Sequence, residues 1–331
     1  MEMKEPYEQE ALKILRDFLP DRIFDAHAHI YDSSCLRDWP RTESFTTHGY
    51  REDMREILGE PKTLKINMIA PCPRKPESQP EYGTLTASEQ YILRQLETDP
   101  DAVGQILVYP GESAEHIASR LTHPRIVGIK CYHSLLQQPN TFQAGIDEYL
   151  PESAWEVAQE KKCCITVHMV RDKALSDPGN MAYIKTMAAR YPDAKLVLAH
   201  AARSFAAWTG LESVTELAGY ENIWFDLAAV CESPVTFQIL KKVSKERCMW
   251  GTDYPLVLPK GKVFSLADSF YWLYQRDIDR FQSNVPIHAW PIAVENLMAA
   301  RQACIMADLT RKEVEDLFYN NAERLFEKEG T

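Results

Sequence analysis

Glycine is scarce in this sequence, with 13 residues in a chain of 331. No glycine-rich loop follows the first apolar segment, RIFDAHAH at 22–29, so a phosphate-cradling turn is missing there. That absence disfavours an open, doubly wound nucleotide-binding sheet. No stretch is as long and apolar as a membrane span, and the charged N-terminus lacks the apolar core of a signal peptide. We therefore expect a cytoplasmic protein.

An excess of basic residues is also absent, because 37 Lys and Arg stand against 48 Asp and Glu and give a formal net charge of −11. Such a surface repels phosphate backbones and anionic lipid, so neither nucleic acid nor a membrane is an expected partner. The eight cysteines form no CxxC pair, and several lie in apolar runs such as KKCCITVHMV. We expect reduced thiols and a small-molecule substrate.

The sequence does contain a regular alternation of apolar runs and amphipathic segments. The apolar runs are typical of parallel strands buried on both faces, and they span 22–29, 64–70, 103–109, 126–132, 163–169, 195–200, 222–228 and 247–253. Helical patterns separate them at 88–97, 113–121, 153–161, 180–190, 205–218 and 234–243. This order predicts an α/β fold, a closed (β/α)8 TIM barrel over about residues 20–307.

The rest of the chain extends this barrel. We expect one domain over residues 1–331, with an amphipathic helix at 5–18, an eighth barrel helix at 291–307 and a last helix at 310–327. Three longer segments, 31–62, 71–87 and 254–290, would lie on the C-terminal face, where long loops build active sites. Their aromatic residues either cap a cyclic substrate or pack between loops, and both alternatives stay open; they include Trp39, Tyr254, Tyr271 and Trp272.

Side chains that commonly bind metals recur at the C-terminal ends of the predicted strands. They are His27, His29, His168, His200 and Asp253. In a barrel these ends converge on one mouth, and residues two apart on a strand, such as His27 and His29, point to the same face. Asp25 would share that face. Imidazole and carboxylate ligands suit Zn²⁺ and similar ions. The pattern predicts a metal site built from some of these five residues.

Several motifs together resemble the amidohydrolase superfamily, and most closely its amidohydrolase-related branch. They are FDAHAHIYD, GIKCYH, ITVHM, LVLAH, WFDLA, MWGTDYP and NNAERLF, and they extend over residues 22–327. That branch contains lactonases, hydratases and non-oxidative decarboxylases. The resemblance implies a metal-dependent enzyme, often a homodimer or larger homo-oligomer.

The resemblance also implies roles for individual residues. His27, His29, His168 and Asp253 match the metal ligands, and His200 matches a catalytic histidine beside the metal. Asp253 would also act in catalysis by transferring protons. Lys130 matches a position that faces the substrate, or that bridges two metals as a carboxylated lysine. We expect one divalent ion, zinc foremost with manganese as another candidate, and treat the bridged pair as the alternative.

Other residues near the predicted mouth are candidates for contact with substrate. His133 follows Lys130 closely, Arg203 lies just past His200, and Cys231 and Glu232 follow strand seven. Arg203 either binds a substrate carboxylate or caps a helix. The favoured function is hydrolysis of a small carboxylate-bearing ester, lactone or amide. Decarboxylation or hydration of an aromatic or muconate-like acid uses the same residues and remains the second hypothesis, and a non-catalytic binding barrel is the third.

Overall fold

The computed structural model describes residues 5–35, 43–71, 82–136, 138–280 and 287–326, with the side chains of 82–86 excepted. Trp39 and most of the proline-rich segment predicted at 71–87 lie outside these ranges. Within them, no helix is long and apolar enough to cross a membrane.

Eight parallel strands form one sheet in sequence order, which confirms the predicted barrel. They are β1 (Arg22–His29), β2 (Thr63–Ile69), β3 (Ala102–Val108), β4 (Ile126–Tyr132), β5 (Cys164–His168), β6 (Lys195–Leu198), β7 (Ile223–Asp226) and β8 (Cys248–Met249). Backbone hydrogen bonds close the sheet on itself. Ala26 N donates to Trp250 O over 3.0 Å, and Asp253 N donates to His27 O over 2.8 Å.

Helices lie between the strands, as the alternating pattern predicts. They are α1 (Pro6–Phe18), α2 (Thr47–Leu58), α3 (Tyr82–Thr98), α4 (Ala114–Arg120), α5 (Ile146–Tyr149), α6 (Glu152–Lys161), α7 (Pro178–Arg190), α8 (Ala199–Arg203, a single left-handed turn), α9 (Ser233–Gln238), α10 (Gln275–Ile278), α11 (Ile292–Met306), α12 (Arg311–Glu315) and α13 (Asn321–Phe326). Five-residue π-helical segments follow α9 and α12, so the last predicted helix is continuous but not uniform.

Two segments differ from the sequence-based expectation. The helix predicted at 205–218 is instead two short 3₁₀ turns, Ala207–Thr209 and Ser213–Leu217, with Gly210 between them. Glycine weakens a helix interior, and Ser176 competes for the backbone by donating its hydroxyl to Thr209 O over 2.6 Å. The long segment after β8 contains an antiparallel hairpin, β9 (Gly261–Leu266) and β10 (Ser269–Tyr274), which its aromatic run did not predict.

The barrel interior is apolar at one end and polar at the other. Seven strands contribute to an interior cluster that includes Phe24, Val127 and Trp224, and Phe326 of α13 packs into the same cluster. The pairing of β1 with β2 shifts register between Asp25 and Ala28. Asp25 therefore does not share the inward face with His27, as the two-residue spacing predicted, and its carboxylate instead hydrogen-bonds Tyr50 of α2 over 2.9 Å.

Candidate metal centre

His27 and His29 end β1 and are buried. Each ring directs Nδ1 at an oxygen that can only accept a hydrogen bond. His27 Nδ1 lies 3.0 Å from Asp226 Oδ2 at the end of β7, and His29 Nδ1 lies 3.0 Å from the Ile69 carbonyl at the end of β2. Protons on both Nδ1 atoms satisfy these acceptors and leave both Nε2 lone pairs free.

His200 follows β6 in a left-handed turn. His200, Ala201, Ala202 and Arg203 have φ values of 57°, 49°, 62° and 60°. The backbone N–H of His200 donates to Asp226 Oδ1 over 2.9 Å, and its ring Nδ1 lies 2.9 Å from the Ala228 carbonyl. The third histidine therefore also has a proton on Nδ1 and a lone pair on Nε2.

Asp253 completes the convergence. Its backbone is also left-handed, with φ 71°, four residues after the end of β8. Asp253 Oδ1 lies 3.0 Å from His29 Nε2 and 3.7 Å from His27 Nε2. It is buried, and no donor in the described part of the chain is oriented to hydrogen-bond it. Ligand atoms of His27, His200 and Asp253 all lie within 4.8 Å of one another.

This donor set fits a divalent cation. Imidazole nitrogens and a carboxylate oxygen meet in a buried space, where His29 Nε2 lies 3.0 Å from Asp253 Oδ1 and no hydrogen bond joins this oxygen to a group of the described chain. Hydrogen-bond acceptors that lie this close together repel one another, and a cation among them removes the repulsion. Nitrogen and oxygen donors of this kind are those that Zn²⁺ and Mn²⁺ accept.

His168, the predicted fourth ligand, is more exposed to solvent than His27, His29 and Asp253. Its Nδ1 is 3.2 Å from His200 Nε2, and its ring is partly exposed. The structure thus brings His27, His29 and Asp253 together as the sequence predicted, and it places His200 nearer to them than His168. The ligand role of His168 stays a prediction.

Lys130 is fully buried on β4 beside this group. Its Nζ lies 3.4 Å from His27 Nε2 and 5.0 Å from the centre of the Tyr132 ring. Burial lowers the pKa of Lys130 to about 8, while the charges of Asp226 and Asp253 act in the opposite direction. An ammonium can only donate, so its position against Nε2 agrees with a lone pair on that atom. Lys130 does not line the cavity described below.

Burial lowers the pKa of two imidazoles of the centre, whereas the neighbouring histidines lower the pKa of its carboxylate. Burial lowers the pKa of His27 to about 3, and the charge of Lys130 lowers it further. Burial likewise lowers the pKa of His200. Burial by itself would raise the pKa of Asp253, but the neighbouring His200 and His29 hold it well below its ordinary value.

A cavity of about 450 Å³ opens over the centre. Ten of the fifteen lining side chains that the structure describes are neither histidine nor acidic, and Lys and Arg are absent from the lining. The lining residues are His29, Tyr31, Pro71, Tyr132, His133, Ser134, Gln138, Pro139, Thr141, Phe142, His168, His200, Asp253, Pro255 and Leu256. The cavity therefore gives a substrate direct access to His168, His200 and Asp253.

The remaining predicted substrate contacts differ in whether they line the cavity. His133 lines the cavity, and its Nδ1 lies 2.9 Å from Thr141 Oγ1. Burial lowers the pKa of His133 to about 4, and the charge of Arg203 acts in the same direction. Arg203 does not line the cavity: it donates to the Arg171 carbonyl over 2.9 Å and stacks on Phe270. Cys231 is buried, and Glu232 accepts a hydrogen bond from Ser265.

Asp226 is the functional residue that the sequence reasoning missed. It lies at the end of β7 within WFDLA, buried between His27 and His200. Burial would raise the pKa of Asp226, but the hydrogen bond from His27 holds it below its ordinary value. A carboxylate at the end of an otherwise apolar strand was the available signal, by the same strand-end argument that selected Asp253.

A family model described as Amidohydrolase matches residues 24–328. The chain therefore belongs to the amidohydrolase family, which confirms the resemblance drawn from its motifs. No curated protein matches the sequence.

Three solved structures illustrate the shared fold. The 2,6-dihydroxybenzoate decarboxylase from Rhizobium is 12% identical, with a TM-score of 0.56 and coverage of 93% of this chain and 98% of that one. The 5-carboxyvanillate decarboxylase from Sphingomonas paucimobilis is 13% identical, with a TM-score of 0.55 and coverage of 92% and 98%. The 5-carboxyvanillate decarboxylase from Novosphingobium aromaticivorans, complexed with manganese, is 14% identical, with a TM-score of 0.52 and coverage of 84% and 79%. At these identities the likeness shows the fold alone.

Proposed function

We propose that this protein is a metal-dependent hydrolase of a small ester, lactone or amide. One observation carries the proposal: the Nε2 lone pairs of His27 and His29 converge on the unpartnered Asp253 Oδ1 beneath an open cavity. Family membership supports an enzyme, and the matching family model is described as Amidohydrolase.

The residues that would hold the metal are His27, His29 and Asp253, with His168 or His200 completing the set. When bound, a divalent ion such as Zn²⁺ supplies a Lewis acid and lowers the pKa of a coordinated water. Manganese in the Novosphingobium decarboxylase supports a divalent ion in this fold but does not choose between the two metals.

Asp253 and His200 are the groups placed to move protons. Both line the cavity, so both can reach a water molecule or a leaving group there. Asp253 accepts the proton of the attacking water and returns it to the departing oxygen or nitrogen. His200, whose Nδ1 proton the Ala228 carbonyl holds, presents Nε2 to the same space.

The cavity walls support a flat, partly apolar substrate. Tyr31, Tyr132 and Phe142 offer aromatic surface around the entrance, and His133 offers a polar ring edge. Because the described lining has no Lys or Arg, a substrate carboxylate would be held by the metal and by neutral donors such as Thr141. Lys130 and Arg203 would act on the substrate only through neighbouring groups.

Non-oxidative decarboxylation of an aromatic acid is the second candidate. The aromatic lining supports it, and two decarboxylases of hydroxylated benzoates share the fold. In that reaction Asp253 or a histidine would protonate the ring carbon that loses the carboxyl group. The same side chains serve both reactions, so the products must distinguish them.

The test is a product assay on protein loaded with Zn²⁺ or Mn²⁺. A panel of lactones, aryl esters and amides is assayed for acid release, and hydroxybenzoates are assayed for carbon dioxide. We expect acid release that disappears in a His27→Ala/His29→Ala variant of the same protein. Carbon dioxide release without hydrolysis would replace the proposal with the decarboxylase. No turnover by a metal-loaded protein would favour the binding barrel.

A further inference from the structure

The His27 ring lies between two charged side chains of opposite hydrogen-bonding character. Asp226 Oδ2 lies 3.0 Å from Nδ1, and the Lys130 ammonium lies 3.4 Å from Nε2. All three side chains are buried. An ionised carboxylate only accepts and an ammonium only donates, so the two neighbours require the same tautomer, with the proton on Nδ1.

The second oxygen of Asp226 is committed elsewhere. Asp226 Oδ1 accepts the backbone N–H of His200 over 2.9 Å and that of Ala228 over 3.1 Å. Moving the carboxylate away from this position would leave two buried N–H groups unpaired. One side chain of β7 thus connects the ring of His27 to the backbone that carries His200.

We propose that Asp226 is a positioning residue that fixes His27 in the Nδ1–H tautomer and so keeps the Nε2 lone pair available to a metal ion. Asp226 acts through His27 and His200, since it does not line the cavity. A carboxylate behind a ligating histidine orients the ring and raises its basicity. The inference rests on the metal site of the proposed function, but its first test uses metal-free protein and no substrate.

Asp226→Asn tests the hydrogen-bond direction with almost no change in shape. The amide oxygen must face the N–H groups of His200 and Ala228, so the amide NH₂ must face His27 Nδ1. Two donors then meet unless His27 moves its proton to Nε2. That proton would occupy the side of Nε2 on which a metal ion binds, and it would also face the Lys130 ammonium. We therefore expect the variant to bind a cation less tightly.

Asp25→Asn is the matched control. Asp25 is an equally buried aspartate of β1, and its Oδ1 accepts the backbone N–H groups of His27 and Thr252. Its Oδ2 accepts the hydroxyls of Tyr50 and Thr252, which can reverse and accept from an amide. This variant removes the same charge beside the centre but touches no imidazole nitrogen.

The experiment records ring ¹⁵N chemical shifts of ¹⁵N-histidine-labelled, metal-free protein, with His27 assigned by loss of its signals in His27→Gln. It also measures Zn²⁺ affinity by competition with a chelating dye. We expect Nδ1–H in the wild type and in Asp25→Asn, and Nε2–H in Asp226→Asn. Affinity for Zn²⁺ should fall by roughly 10- to 100-fold more in Asp226→Asn than in Asp25→Asn.

Three results would overturn the inference. The first is an Nε2–H tautomer in the wild type, which is measurable even if Asp226→Asn fails to fold. The second is an unchanged His27 tautomer in a folded Asp226→Asn. The third is an equal loss of Zn²⁺ affinity in both variants, which would assign the effect to lost charge. Absence of turnover on every substrate would count against the proposed function and leave these readouts intact.

Discussion

Lys130 is the residue on which the number of metal ions depends. Its ammonium lies against His27 Nε2, in a buried site that also contains the anions Asp226 and Asp253. In this position it balances negative charge that a cation would otherwise balance. A bridging, carboxylated lysine would instead add a negative charge to the site and hold a second ion.

Lys130→Met separates these two roles, because methionine keeps the length of the side chain but cannot carry a carboxylate. We expect Zn²⁺-loaded wild type and variant to contain the same amount, one ion per chain, by elemental analysis. The metal-free variant should be less stable, by on the order of 3 kcal/mol, because the buried carboxylates lose their cation. Two ions in the wild type and fewer in the variant would establish the bridged pair.

At the residue scale, strand-end position predicted most of the centre. His27, His29, His200 and Asp253 were found because parallel strands in a barrel deliver their C-terminal ends to one mouth. Asp226 meets the same criterion, but its role depends on contacts with His27 and His200 that the sequence does not show. The orientation of Asp25 could not be read from sequence, since the register shift in β1 depends on pairing with β2.

At the scale of elements, the left-handed turn after β6 stores backbone strain that a stability measurement can detect. Four successive non-glycine residues with positive φ store strain, at roughly 1–2 kcal/mol for each residue. Hydrogen bonds sustain the turn: Asp226 accepts from His200 N, and Ser204 N donates to His200 O over 2.8 Å. The strain fixes the backbone from which His200 reaches the cavity.

Ala201→Gly should relieve part of that strain. Glycine adopts positive φ freely, so we expect stability to stay level or to rise by up to about 1 kcal/mol. The control is Ala158→Gly, an equally buried alanine in the right-handed α6, which should cost about 1 kcal/mol. Urea unfolding of both variants gives the comparison, and equal losses would show that the turn is not strained.

The contact between α3 and α4 predicts a pH dependence of stability. Arg120 forms ion pairs with Glu89 and with Glu112, both largely buried. Burial raises the pKa of Glu89 from 4.5 to about 7 in the folded protein, although Arg120 opposes the shift. The folded state therefore binds this proton more tightly than the unfolded state. Its contribution to stability is greatest below pH 4.5 and is lost as the pH rises to 7.

Glu89→Gln keeps this side chain neutral at every pH. Relative to wild type, we expect the variant to gain on the order of 1 kcal/mol at pH 8 and much less at pH 5. Urea unfolding at the two pH values measures the difference, with the exposed Glu115→Gln on α4 as the control. A loss of stability at pH 8 would show that the ion pair with Arg120 outweighs the cost of burial.

Elements predicted from periodicity were largely found, and the failures have local causes. Apolar runs located all eight strands, but the run predicted at 247–253 contains only the two-residue strand β8. The hairpin β9–β10 was missed because its aromatic run, SFYWLY, is apolar almost throughout and lacks the polar–apolar alternation of a half-buried strand. Its position is set by tertiary contacts, such as those of Phe205 with Phe270 and Trp272.

At the scale of the whole molecule, the apolar packing residues and the candidate metal centre lie at opposite ends of the barrel interior. Phe24, Val127 and Trp224 fill one end of the interior together with Phe326 of the last helix, and the charged and imidazole side chains occupy the other. The net negative charge of the chain does not determine which residues occupy this interior. The barrel and its polar mouth could thus be predicted from sequence, whereas the shape of the cavity depends on loops whose conformation periodicity does not encode.

The most direct test of this account is the metal content of the purified protein. Elemental analysis is performed on wild type and on His27→Ala/His29→Ala after loading with Zn²⁺ or Mn²⁺ and removal of excess ion. We predict close to one divalent ion per chain in the wild type and none in the variant. Wild-type protein that retains no ion after either loading would contradict the metal centre and the hydrolytic function built on it.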